Sequence, residues 1–120
     1  MSDNVEITRK EGYLHVTVSG VFSVALAKQS VDMLAATCSK EDCYTVLFDC
    51  RPITGEMRVF DRYTIGQYGA EILPHTIKIA MLGRKDQVSP DDFFENVAVN
   101  RGMILKVFSD EKKAIEWLKG

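Results

Sequence analysis

Apolar and polar residues alternate through Tyr13-Leu-His-Val-Thr-Val18, with Leu14, Val16 and Val18 on one side and Tyr13, His15 and Thr17 on the other. A period of two marks a strand with one buried face. Val5-Glu-Ile-Thr8 alternates in the same way, and Glu11-Gly12 between the runs is a turn signal. Together they predict a short antiparallel hairpin. After Gly20 the period lengthens. Ala27, Val31, Leu34 and Cys38 are spaced four, three and four apart, an apolar stripe on a helix from about Ser23 to Cys38.

Tyr44-Thr-Val-Leu-Phe48 does not alternate; it is a continuous β-favouring run, as expected of a central strand covered on both faces. Pro52 ends it, because proline cannot donate to a ladder. A second helix is predicted from about Met57 to Leu73, with Val59, Tyr63, Gly66, Ala70 and Leu73 on one face. Gly66, Gly69 and Ala70 make that face small, which points to close helix–sheet approach, and Pro74 stops the helix. Ile77 to Leu82 reads as the next strand, ended by Gly83. Ser89-Pro90-Asp91-Asp92 reads as a capped start for a helix holding Phe93, Phe94, Val97 and Ala98, with Gly102 at its end. Met103 to Phe108 is the last strand. Ser109-Asp110 then caps a final helix with Ala114, Trp117 and Leu118 inward. The order β-β-α-β-α-β-α-β-α predicts an α/β fold: one mixed, mostly parallel sheet with right-handed helical crossovers and an antiparallel N-terminal hairpin.

Composition narrows the function classes. The 120 residues suit a single domain spanning 1–120. Hydrophobic residues are 46% and charged residues 27%, ordinary for a globular chain. A formal net charge of -2 argues against nucleic acid, whose binders carry a basic excess. No apolar run reaches the roughly 20 residues of a bilayer span. Met1-Ser2-Asp3-Asn4 lacks the basic and apolar regions of an export signal. Three cysteines, Cys38, Cys43 and Cys50, are then expected to be free thiols in the cytoplasm.

Candidate chemistry is sparse, and no enzyme and no cofactor are expected. Cys50 stands beside Arg51, whose charge favours a thiolate, but a nucleophile needs a base, and His75 is the only candidate. His15 falls on the polar face of its strand and is expected to be exposed. Cys38 and Cys43 lack a second ligand pair for a metal. Asp91, Asp92 and Glu95 suit the positive end of a helix dipole without a metal. Neither a glycine-rich phosphate loop nor a G-x-S-x-G elbow occurs.

One constellation remains. Ligands and partners of open α/β sheets meet the carboxyl ends of the strands. Asp49-Cys50-Arg51, Gly83-Arg84-Lys85 and Ser109-Asp110 should share that edge. Arg58, Asp61 and Arg62 join them from the first turns of the second helix, with Arg58 and Arg62 four apart on one face. Arginine at a helix start opposes the dipole, a local inconsistency of the kind found at functional sites. Asp49, Arg51, Arg58, Arg62, Arg84 and Lys85 are therefore the candidate ligand- or partner-binding residues. A solvated rim with local pairing to Asp49 or Asp61 is the plain alternative.

Val46-Leu-Phe-Asp-Cys-Arg-Pro-Ile-Thr-Gly55, Asp61-Arg-Tyr-Thr-Ile-Gly66, Ile79-Ala-Met-Leu-Gly83, Phe94-Glu-Asn-Val-Ala-Val-Asn-Arg-Gly102 and Val107-Phe-Ser-Asp-Glu-Lys-Lys-Ala-Ile-Glu-Trp-Leu118 together resemble the SpoIIAA-like, or STAS-like, domains of anti-sigma-factor antagonists and transporter tails. More closely, the chain resembles a branch of small bacterial SpoIIAA-like proteins. The resemblance covers the chain from about Tyr13 onward and implies a β-α superhelix that binds without catalysing. It also implies a phosphorylated serine near Met57, Arg58 and Val59. No serine or threonine stands there, Thr54 being the nearest hydroxyl, so the switch is not expected.

The leading expectation is thus a regulatory, protein-binding module, its partner a protein or else a small anionic or lipid ligand. The alternative is a small-molecule or lipid carrier of CRAL-TRIO-like type, with a pocket between sheet and helices lined by Phe60, Tyr63, Phe93 and Phe94. A third is an enzyme using Cys50 or the carboxylates of Asp49 and Asp61. A homodimer through the hairpin edge stays open.

Overall fold

The computed structural model describes residues 4–56, 58–86 and 102–120. The side chains of Val59 and Phe60 fall outside that description, as do Met57 and the helix expected after Ser89.

Strands β1 (Val5–Lys10) and β2 (Tyr13–Val18) form the expected antiparallel hairpin, with Lys10 opposite Tyr13 across the turn. Gly12 takes a φ of 88° in that turn, a conformation that favours glycine. Two-residue strand β3 (Gly20–Val21) leads into α1 (Val24–Glu41). The Ser23 hydroxyl accepts from the Leu26 amide at 3.0 Å and caps the helix. Then follow β4 (Thr45–Asp49), β5 (Ile53–Thr54), α2 (Val59–Ile72), β6 (Lys78–Leu82), β7 (Ile104–Phe108) and α3 (Glu111–Lys119). The Asp110 carboxylate caps α3 by accepting from the Lys113 amide.

The main sheet has the order β1-β2-β4-β6-β7. β1 is antiparallel to β2, and every later pairing is parallel. Strand β4 lies in the centre and is buried on both sides, which its continuous apolar run requires. Val46 and Phe48 join the larger core with Leu14, Val16 and Val18 beneath α1 and α2. Leu47 faces the other way, into a smaller core with Ala80, Leu82, Ala114 and Leu118 beneath α3. Helix α3 can lie close because both residues at the contact, Ala80 and Ala114, are small and fully buried. The Trp117 ring packs on Phe108 at 5.7 Å, half-buried at the margin of this layer.

On the other face, α2 docks on α1. The Tyr68 hydroxyl donates to Asp32 at 2.6 Å, and the Lys28 ammonium lies over the Tyr68 ring. The buried stripe of α1 is Leu26, Ser30, Val31, Leu34 and Cys38; it adds Leu26 and Ser30 to the expected one and leaves Ala27 half-buried. On α2 the buried face is Ile65, Gly66, Gly69 and Ala70, continued by Leu73 just past its end, while Tyr63 points outward.

The two-residue strands β3 and β5 pair in parallel as a separate ribbon, Gly20 beside Ile53 and Val21 beside Thr54. Neither was foreseen. Two residues are too few to display alternation, and Pro52 beside β5 reads as loop.

Candidate functional site

Strands β2, β4, β6 and β7 run in one direction, so their carboxyl ends share one edge of the sheet. The segments expected to converge do so there: Asp49–Arg51 after β4, Gly83–Lys85 after β6, and Ser109-Asp110 after β7. The β3–β5 ribbon and the first turn of α2 complete the edge. What the residues do at this edge differs from one to the next.

Asp49 and Arg51 bind each other. Asp49 is only 4% exposed and, two residues beyond Leu47, turns with it to the α3 side. Arg51 donates to Asp49 Oδ1 from its own amide and from Nε, both at 3.0 Å, and to Oδ2 from Nη2 at 2.8 Å. Nη2 also donates to Glu111 Oε1 at 2.7 Å. Burial pushes the Asp49 carboxyl up, but the hydrogen bonds and charge of Arg51 outweigh it and hold the group below the usual range. The same contacts, led by the hydrogen bond to Asp49, raise Arg51.

Two further residues belong to this cluster and were not foreseen. His15 is half-buried rather than exposed, and its Nε2 lies 3.5 Å from Asp49 Oδ2 without forming a hydrogen bond. Glu111 reaches Arg51 from the first turn of α3. The signal for His15 was register: parallel pairing of β2 with β4 sets His15 beside Leu47, two residues before Asp49's own neighbour Thr17 and on the same face of the sheet.

Arg84 also serves the scaffold. Its Nη1 donates to the carbonyls of Arg51 and Ile53, tying the loop after β4 to the loop after β6. Its other nitrogens bind Asp86. Lys85 and Arg58 are exposed. Arg58 stands at the N-cap of α2, and its amide donates to Asp61 Oδ2 at 3.1 Å, so Asp61 caps the helix against the unfavourable arginine. Arg62 is half-buried and turns toward the interior.

That interior contains a cavity of about 360 Å³ between the sheet and helices α1 and α2. Its walls are apolar, with Phe48, Ile79, Leu105 and Val107 from the sheet and Leu34 and Ile65 from the helices. Arg62, Arg84, Asp86 and Glu56 stand around it at the carboxyl edge. Of the aromatics expected to line such a pocket, Tyr63 does not; Phe93, Phe94 and the Phe60 side chain lie outside the described residues.

The base expected for the candidate nucleophile lies at the opposite edge of the sheet. His75 precedes β6, at the amino edge of the sheet, whereas Cys50 follows β4 at the carboxyl edge. Burial pushes the Cys50 thiol up to about 12, with the Asp49 charge adding to the effect, and burial takes Cys38 to about 11. Among the described residues no group of histidine, cysteine and carboxylate side chains could hold a metal ion. No described helix is long and apolar enough to cross a membrane.

No family model matches the chain, and no curated protein does. Among solved structures it is similar to the crystal structure of an anti-sigma factor antagonist from Mycobacterium paratuberculosis, with a TM-score of 0.66 over 97% of this chain and 93% of that chain. The fold is that of an anti-sigma factor antagonist. The SpoIIAA-like architecture expected from sequence is therefore present, with its antiparallel hairpin and mostly parallel sheet. Identity between the two chains is 12%, so the likeness extends to the backbone and leaves the carboxyl-edge side chains to be read on their own chemistry.

Proposed function

We propose that this chain is a non-enzymatic, regulatory protein-binding module that docks its partner on the carboxyl edge of the sheet. The observation that carries the reading is Val21. It is 74% exposed, the most exposed large hydrophobic residue among those described, and it sits on the β3–β5 ribbon at that edge. Tyr63, 41% exposed, comes from the second turn of α2 at the same end of the sheet, and Arg58 and Lys85 are the exposed cations there. An aliphatic and a tyrosine among cations have the composition of a protein-binding patch, where tyrosine and arginine are enriched. The likeness in fold to an anti-sigma factor antagonist supports the same class of role. Catalysis fits poorly: the Cys50 thiol is held protonated, and the Asp49 carboxylate is consumed by Arg51. No serine or threonine stands among Met57, Arg58 and Val59, so regulation by a phosphoserine there is not part of the proposal.

A photoreactive phenylalanine analogue at position 21 tests it. In extract of the host cell, light should join it to one discrete protein; the same analogue at Glu116, exposed on α3, should give none. Val21→Glu should abolish the interaction without moving the melting temperature. Equal labelling from both positions, or none from position 21, removes the carboxyl edge as the docking surface.

A further inference from the structure

We propose that the cavity between the sheet and helices α1 and α2 binds a small amphipathic carboxylate, its apolar body against Phe48, Ile79 and Leu105 and its anionic end on Arg62. The proposal is independent of the partner-binding reading.

The size and walls argue for an apolar body. About 360 Å³ lies within the roughly 300–1,000 Å³ of small-molecule sites. Polar groups within reach of the body are few and spoken for. The Ser30 hydroxyl, buried on α1, gives its proton to the Ala27 carbonyl at 2.6 Å. The Cys50 thiol also lines the space, and in its neutral form it behaves as a small hydrophobe. Among the described residues, nothing deep in the cavity asks for a second charge or a polyhydroxylated ligand.

The charged end is set by what the rim has left over. Arg84 is committed to two carbonyl oxygens and to Asp86, and Asp86 to Arg84. Glu56 stands on the loop before α2, exposed to water. Arg62 differs from these. It is half-buried beside the cavity, and no carboxylate lies within ion-pair distance of its guanidinium among the described residues. A partly desolvated guanidinium without a counter-ion favours an anion, and its planar fork matches a carboxylate. A single cation selects a single negative charge.

Decanoate, decanol and octyl phosphate, each below its micellar concentration, distinguish the alternatives. Methyl resonances of the full chain report where each one goes. Decanoate should shift Ile65, Ile79, Leu105 and Val107 saturably and leave Ile115 and Leu118, on the α3 side, in place. Arg62→Gln, a change at the rim that leaves the core intact, should weaken decanoate about ten-fold and leave decanol unchanged. Three outcomes overturn the proposal. No shift at the cavity methyls with decanoate or decanol means the space is not a binding site. Equal affinity for decanoate and decanol, unaltered by Arg62→Gln, removes the anionic end. Octyl phosphate binding more tightly than decanoate replaces the carboxylate with a phosphate head.

Discussion

Arg51 grips Asp49 from three donors, its own amide and Nε on one carboxylate oxygen and Nη2 on the other. Two residues read from sequence as candidates for contact with a partner thus neutralise each other. The pair closes the turn at the carboxyl end of β4, and through Glu111 it fastens that turn to α3. Paired charges that are already satisfied offer little to an incoming ligand. Arg58, Lys85, Val21 and Tyr63 are exposed at the same edge.

Asp49→Asn keeps the shape of the turn and removes the charge. The variant should lose roughly 1.5–3 kcal/mol, the range for hydrogen bonds to a charged group. The folded-state carboxyl of Asp49 is held below its ordinary value, so its contribution is complete above the unfolded pKa of about 3.9 and disappears as pH falls through the lower folded value. In urea melts, the gap between wild type and Asp49→Asn should therefore stay constant from pH 7 to about 5 and close below about 4. A gap unchanged down to pH 3 would show that the ion pair contributes no charge-dependent stability.

Cys50 should be chemically quiet. A thiol pushed up to about 12 is overwhelmingly protonated at pH 7, and only the thiolate is nucleophilic. A disulfide reagent should find no fast-reacting thiol in the folded protein and all three once it is unfolded. Rapid modification of Cys50 with an apparent pKa below about 8 would revive the enzyme reading.

The strand and helix pattern was legible because burial imposes it on the sequence. The run Val46-Leu47-Phe48 announced a strand covered on both faces, and β4 is the central one. Ser23 and Asp110 marked helix starts and cap them. The shared carboxyl edge was legible too, since crossovers of ten residues or more imply parallel strands. The pairing at that edge was less so. His15 reaches Asp49 through strand register, and Glu111 reaches Arg51 across 60 residues, neither of which periodicity encodes. Tyr63 shows the limit of the stripe: spacing places it with Gly66 and Ala70, but α2 rolls toward α1 through Tyr68 and Asp32 and carries it outward.

The glycines of α2 test a different expectation, that small residues mark close helix–sheet approach. A methyl group at Gly69 would meet the Leu73 Cδ1 and Met103 Sδ atoms at 4.0 Å, ordinary contact distance. Gly69→Ala should accordingly stabilise the protein by about 0.5–1 kcal/mol, the usual gain from alanine at a helical position with room for it. A rise in the urea midpoint at constant slope would register it. A fall would mean that α2 needs the missing side chain after all.

Arg84 and Lys85 are adjacent and equally cationic in the sequence, yet the structure gives them opposite work. Arg84 bridges the carbonyls of Arg51 and Ile53 and so holds the loop that carries β5 and, through it, the ribbon bearing Val21. Lys85 is exposed. Arg84→Ala leaves loop carbonyls short of a donor and should cost about 1–2 kcal/mol, within the roughly 1–3 kcal/mol of leaving a buried acceptor unpaired. Lys85→Ala should stay within about 0.5 kcal/mol, as surface substitutions do. The contrast decides how binding losses are read. If both variants weaken partner capture, Lys85→Ala reports a direct contact, whereas Arg84→Ala reports a displaced ribbon. Hydrogen exchange should then show faster opening of the Val21 and Thr54 amides in Arg84→Ala and none in Lys85→Ala. Unchanged exchange in Arg84→Ala would transfer Arg84 from the scaffold to the docking surface.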